Sequence, residues 1–119
     1  MKENIVKIKS FNFALRIINL YKFLCTDKKE FVLSKQVLRS GTAIGALVYE
    51  SEHAQSSADF ISKMNIALKE ANETVYWLSL LYQSDYLSKE SYLSISEDSE
   101  ELVRLLASIV KTSKTKLKI

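Results

Sequence analysis

Apolar side chains recur at helical spacing along most of this chain, and short polar clusters interrupt them. From Phe11 to Cys25 two apolar stripes run side by side. Phe11, Leu15, Ile18 and Cys25 form one, and Phe13, Ile17, Leu20 and Leu24 form the other. The spacing predicts a helix over about 11–25, with Ser10 as its N-cap. The polar cluster from Thr26 to Glu30 reads as a connection. A second helix is expected over about 35–52, capped by Ser34, with Val37, Leu38, Ile44, Leu47 and Val48 on its apolar side. A third is expected over about 58–83, where Phe60, Met64, Ala67, Ala71, Thr74, Leu78 and Leu81 follow heptad-type spacing. Ser56 and Asp59 before it resemble a capping box, and Ile61, Leu68, Val75 and Tyr82 make a second stripe. The fourth, over about 89–114 and capped by Ser88, uses Tyr92, Ile95, Leu102, Leu106, Ile109 and Val110, with Glu97 to Glu101 as a solvated face. Four helices with short links in one 1–119 domain predict an all-α, antiparallel, up-down-up-down four-helix bundle.

Composition supports helices and excludes most alternatives. The 119 residues include no proline and only two glycines, whereas sheets and sandwiches consume both in turns and bulges. Gly41 and Gly45 fall inside the second predicted helix, where each costs about 0.5–1 kcal/mol relative to alanine. Four residues apart, they share a helix face and leave a flat strip for a neighbouring backbone. A break at Gly41 is the competing reading, and it would strand short helical pieces. No run approaches the ~20 apolar residues of a membrane span, and the charged N-terminus lacks the apolar block of a signal peptide. A single cysteine, Cys25, in an apolar stripe reads as a packed thiol, and a cytoplasmic location is expected.

Charge is unevenly spread. Residues 1–39 hold nine Lys/Arg against three Asp/Glu, residues 40–110 hold four against eleven, and the last nine hold four lysines. Such a pattern fits nucleic-acid contact, complementary contacts between subunits, or solubility alone. The cations that could touch phosphates are Lys2, Lys7, Lys9, Arg16, Lys22, Lys28, Lys29, Lys35, Lys111, Lys114, Lys116 and Lys118. The terminal lysines also suit the negative end of a helix dipole.

Catalytic signals are sparse. Glu50 and His53 have the Glu-x-x-His spacing of di-iron bundles, yet such a site needs the motif twice, and His53 is the only histidine. Phosphate-binding loops, dinucleotide fingerprints and paired-cysteine motifs are absent from the sequence. No catalytic residue, metal or cofactor is expected. Glu70 and Glu73 sit in an otherwise apolar helix, so Arg39 or Lys63 are their expected partners. Tyr76 and Trp77 could stack on bases, but at helical spacing they fit core or interface positions better. Arg39, Gly41, Gly45, Glu70, Glu73 and Trp77 form the set expected to mediate close packing or an interface. The doubled apolar stripes on the first and third helices point to assembly.

The stretch from Leu33 to Ala46, Leu33-Ser34-Lys35-Gln36-Val37-Leu38-Arg39-Ser40-Gly41-Thr42-Ala43-Ile44-Gly45-Ala46, with Glu50 after it, resembles the signature helix of a bacterial family. Its members are four helix bundle proteins encoded by intervening sequences of 23S ribosomal RNA genes. Phe60, Lys63, Ala67, Glu70, Ala71, Glu73, Thr74, Trp77 and Leu78 continue the resemblance, and Ile109-Val110-Lys111-Thr112 matches the closing helix. The resemblance implies a homopentamer with a central channel, and kinship with the basic accessory protein of diversity-generating retroelements, which works with a reverse transcriptase and nucleic acid. This chain is less basic than that protein. It also reads Ala46-Leu47-Val48-Tyr49 where the family often has asparagine. The expected function is that of a non-enzymatic, homopentameric bundle whose further candidate partners are RNA, DNA or a nucleic-acid-processing enzyme, with no membrane role. The alternative is a structural or protein–protein interaction module with no nucleic-acid role.

Overall fold

A computed structural model describes residues 2–117, with side chains from residue 4 onward. Four α-helices account for nearly all of it: α1 (Lys2–Thr26), α2 (Leu33–Ser51), α3 (Ser57–Gln83) and α4 (Lys89–Leu117). Each packs on its neighbours in the chain and α1 closes on α4, while the diagonal pairs α1–α3 and α2–α4 stay apart among the described residues. Side-chain contacts give the register. Lys7 reaches Glu52 at one end of the α1–α2 seam, and Cys25 meets Ser34 at the other. Arg16 reaches Asp98 and Lys9 reaches Glu101, so α4 runs opposite to α1. Arg39 meets Glu70 across α2–α3, and Tyr82 stacks on Tyr92 across α3–α4. The result is the expected all-α antiparallel bundle, 51 Å long and about square in section at 21 × 20 Å.

One apolar core runs its length, with Phe13, Ile17, Leu24, Val37, Ile44, Met64, Leu78, Leu81, Leu102 and Leu106 buried. α2 is continuous through both glycines. A Cβ on Gly41 would sit 2.7 Å from Ile17 Cγ1, and one on Gly45 would sit 3.2 Å from the Ser10 carbonyl oxygen. The helical cost of these glycines is therefore offset by the close approach of α1, a packing gain that any larger side chain would forfeit.

Three element boundaries differ from the sequence expectation. α1 begins at Lys2 rather than Phe11, and Ser10 is an interior residue whose hydroxyl donates to the Lys7 carbonyl at 3.2 Å. Val6, fully buried, carries the core stripe one turn pair earlier than the pattern suggested. Ser34 does not cap α2. The Glu30 carboxylate does so by accepting from the backbone N–H groups of Val32, Leu33 and Ser34 at 3.2, 2.9 and 2.7 Å. Ser34 instead donates its hydroxyl to the Glu30 carbonyl at 2.8 Å. α4 runs to Leu117 rather than ending near 114. The other caps match expectation: Ser56 Oγ accepts from the Asp59 N–H, and Ser88 Oγ accepts from the Ser91 N–H, both at 3.1 Å.

Candidate interaction surfaces

The two stripes of α1 have different fates. Phe13, Ile17 and Leu24 turn inward and are buried, whereas Phe11 and Leu15 point away from the bundle. Ile8 joins them one turn earlier, so three large apolar side chains lie 48–64% exposed along the outer face of one helix. Across the seam Tyr49 of α2 is 60% exposed. Lys7, Ile8, Phe11, Asn12, Gly45 and Tyr49 line a shallow, mainly apolar groove of about 260 Å³. Exposed apolar surface of this kind is a candidate interaction site.

A second surface lies where α2 meets α3. Arg39 sits between Glu70, at 3.2 Å, and Glu73, with which it also pairs. The Trp77 Nε1–H donates to Glu73 Oε2 at 2.9 Å, holding the carboxylate toward the arginine. Lys63 is not part of this cluster and pairs with Asp59 at 2.9 Å within its own helix. Its hydrogen bond, followed by that from the Gln55 backbone N–H, holds the Asp59 carboxyl below its usual range. Beside the cluster Ile66, Tyr76 and Leu80 are exposed, and Tyr76 meets Trp77 edge to face at 5.0 Å between centroids. Ile66, Glu73 and Leu80 are spaced by sevens and so form one column facing the α2 side. The second sequence stripe of α3 lies elsewhere. Ile61 is buried, Leu68 and Tyr82 are part-buried, and the Tyr82–Tyr92 stack shows α4 covering that side.

The candidate phosphate-binding cations do not form one patch. Lys7, Lys9 and Arg16 are engaged by Glu52, Glu101 and Asp98 at 2.9, 3.3 and 2.7 Å. Arg16 also donates to the Ser94 carbonyl and hydroxyl. The bond and charge of Glu52 raise the Lys7 pKa. Lys22, Lys28, Lys29 and Lys35 cluster by sequence and register at the end where α1 stops and α2 starts. Lys111, Lys114 and Lys116 are exposed at the opposite end, with no ion pair among the described residues. The Lys2 side chain and Lys118 lie outside the described residues.

Little here resembles a reaction centre. His53 is exposed at the end of α2, and its ring lies edge-on to Tyr49 at 5.9 Å. Among the described residues no group of three His, Cys, Asp or Glu side chains converges to hold a metal. A groove of about 450 Å³ opens between α1 and α4, but its cation, Arg16, is already bonded to Asp98 and Ser94. No helix among the described residues is long and apolar enough to cross a membrane. Two important residues escaped the sequence reading. Tyr49 looked like a family departure rather than part of a face, and Glu30 looked like a loop residue.

A family model described as 23S rRNA-intervening sequence protein matches residues 2–108. A crystal structure of a protein of unknown function from the S23 ribosomal protein family of Bacteroides thetaiotaomicron VPI-5482 is 63% identical. The match covers 93% of this chain and 99% of that one, with a TM-score of 0.92. No curated protein matches the chain. With the family model spanning all of α1 to α3 and most of α4, the chain belongs to the 23S rRNA-intervening sequence protein family.

Proposed function

We propose that this protein is a non-enzymatic, self-assembling helical bundle that works in the cytoplasm as a homopentamer. The observation that carries this reading is the bare apolar outer face of α1, with Ile8, Phe11 and Leu15 facing solvent opposite a complete core stripe. Leaving that much apolar surface in water costs about 25 cal/mol for each Å² that an interface would cover. A lone bundle has no use for it. Sedimentation velocity or light scattering at micromolar concentration tests the reading: a pentamer is expected, and Phe11→Glu should dissociate it. A wild-type chain that stays monomeric overturns it.

A second element of the proposal is nucleic-acid contact, favoured by the exposed Lys111, Lys114 and Lys116 at the end of α4, which have no ion pair among the described residues. Repetition around an oligomer multiplies weak phosphate contacts through avidity. Binding of mixed-sequence RNA or DNA in 50 mM salt, weakening steeply as salt rises, is the expected result. Absence of any shift at low salt leaves the protein–protein module as the function.

A further inference from the structure

The bundle is antiparallel, so the α1–α2 and α3–α4 links share one end of a rod 51 Å long. Two neighbouring apolar side chains stand in water at that end. Phe31, in the α1–α2 link, is 53% exposed, and Val32, the N-cap of α2, is 71% exposed. Phe23, near the end of α1, is also exposed and carries the Lys28 ammonium over its ring at 5.8 Å. Lys22, Lys28, Lys29 and Lys35 are exposed and lie around these residues by sequence and register. None of the four is in an ion pair among the described residues. With Lys89 of α4 they outnumber the exposed carboxylates of this end, Asp27, Asp85 and Glu90. Neither Phe31 nor Val32 belongs to the outer face of α1 formed by Ile8, Phe11 and Leu15.

Much of the link's backbone is already bonded inside the protein. The Glu30 carboxylate accepts from the N–H groups of Val32, Leu33 and Ser34. The N–H groups of Asp27 and Glu30 donate to the Phe23 and Leu24 carbonyls. An open backbone group is costly to carry into a lipid layer, and these N–H groups bring no such cost. The same bonds use up the N–H groups that the start of α2 would otherwise offer to a phosphate. We infer that the α1–α2 link is a peripheral membrane contact, in which Phe31 and Val32 enter the interfacial layer of an anionic bilayer and the surrounding lysines meet its headgroups. Apolar side chains at the hydrocarbon boundary with cations beside them hold proteins on anionic membranes. Long lysine stems let the ammonium groups stay among the headgroups while the apolar pair goes deeper. A nucleic acid would reward the lysines, and Phe31 through stacking, but would leave Val32, the more exposed of the pair, in water. Surface contact needs no spanning helix, and no helix among the described residues is long and apolar enough to cross. An exposed link also escapes the run-length criterion from which no membrane role is expected.

Flotation of the full chain with vesicles of phosphatidylcholine and phosphatidylglycerol, two to one, tests the contact. The protein should float with these vesicles, less so as salt rises, and not with phosphatidylcholine alone. Phe31→Ser with Val32→Ser keeps every charge and should weaken binding about ten-fold or more. Lys28→Glu with Lys35→Glu keeps both apolar side chains and should also weaken it about ten-fold or more, since each lysine near an anionic surface is worth roughly five-fold. All four side chains are exposed, so both variants should fold, as far-UV circular dichroism will report. Val32→Ser alone, with a smaller loss, serves should the serine pair fail to fold. Tryptophan emission of Phe31→Trp should move to the blue when anionic vesicles are added. The wild type, whose one tryptophan is Trp77, should show no such shift. Absence of flotation with anionic vesicles overturns the membrane contact. Flotation untouched by the serine substitutions overturns the place of Phe31 and Val32 in it and moves the binding to other lysines. Serine substitutions that abolish binding of mixed-sequence RNA and leave flotation intact give the link to nucleic acid and overturn it as well.

Discussion

Helices α1 and α3 look alike in sequence, since each carries two apolar stripes where one would serve a bundle, and the structure treats them differently. On α3 the second stripe is spent inside the molecule: Ile61 is buried and Tyr82 stacks on Tyr92 of α4. On α1 the second stripe is divided: Ile18 and Cys25 are part-buried, whereas Phe11 and Leu15 face solvent, because α2 and α4 already flank the inner stripe and no fifth helix lies over them. Periodicity counts the apolar faces of a helix. How many neighbours the fold supplies decides which of those faces become core and which stay exposed.

That contrast can be broken most sharply on α1 itself. Ile17→Ala, on the buried stripe, should lower unfolding free energy by about 2–5 kcal/mol in urea melts of the protein. Phe11→Ala, on the exposed stripe, should cost the folded monomer less than about 1 kcal/mol while weakening assembly in sedimentation. Similar losses of monomer stability from the two substitutions would erase the distinction between the faces.

Gly41→Ala should come next, at about 1–3 kcal/mol destabilising, because the added methyl meets Ile17 at 2.7 Å and forces α1 and α2 apart. Gly45→Ala should cost less, since its nearest contact is 3.2 Å and the gain in helix propensity offsets part of the strain. Thermal denaturation of both variants beside wild type gives the ranking.

The links at the two ends of the contrast also differ. Glu30, in the α1–α2 link, is buried; burial alone would raise its pKa, but the N–H groups of Leu33, Ser34 and Val32 outweigh that and hold it below the usual carboxylate value of 4.5. A depressed carboxylate pKa stabilises the fold above the unfolded value and loses that contribution as pH falls through the folded value. Glu30→Gln should therefore cost about 1–2 kcal/mol at neutral pH. The gap between variant and wild type should close as pH drops below about 4.5, read by melts across an acid series.

The smallest effect belongs to the α3–α4 link. Asp85 takes a left-handed conformation at φ 70° while the Tyr86 and Asp85 N–H groups bond back to the Leu81 and Tyr82 carbonyls, the pattern that ends helices on glycine. Asp85→Gly should raise stability by about 0.5–1 kcal/mol in the same melts. The two glycines this chain has are used for helix contact, and its helix stops make do with Asp85 and Lys29.

Much of this was legible in the residues. Heptad spacing located α3 at both ends to within a residue, and the Ser56–Asp59 pattern marked its start. Scarcity of glycine and proline identified the helical class, and the spacing of Gly41 and Gly45 identified a close contact. The start of α1 was misread because Ser10 resembles a cap in sequence and becomes a small, buried spacer against Gly45 only when α2 is present. Glu30 was missed because a carboxylate capping across a turn has no periodicity to betray it.

By itself, then, the sequence determined four helices, their order and their antiparallel pairing, since helical spacing and short links are local properties of the chain. Only the tertiary structure decided which apolar stripe stayed bare and which of the cations were already paired. It also decided that Ile8, Phe11 and Leu15 of α1 and Ile66, Tyr76 and Leu80 of α3 stay exposed. Those are properties of neighbours brought together from distant parts of the chain, and no local pattern encodes how many neighbours a helix will have.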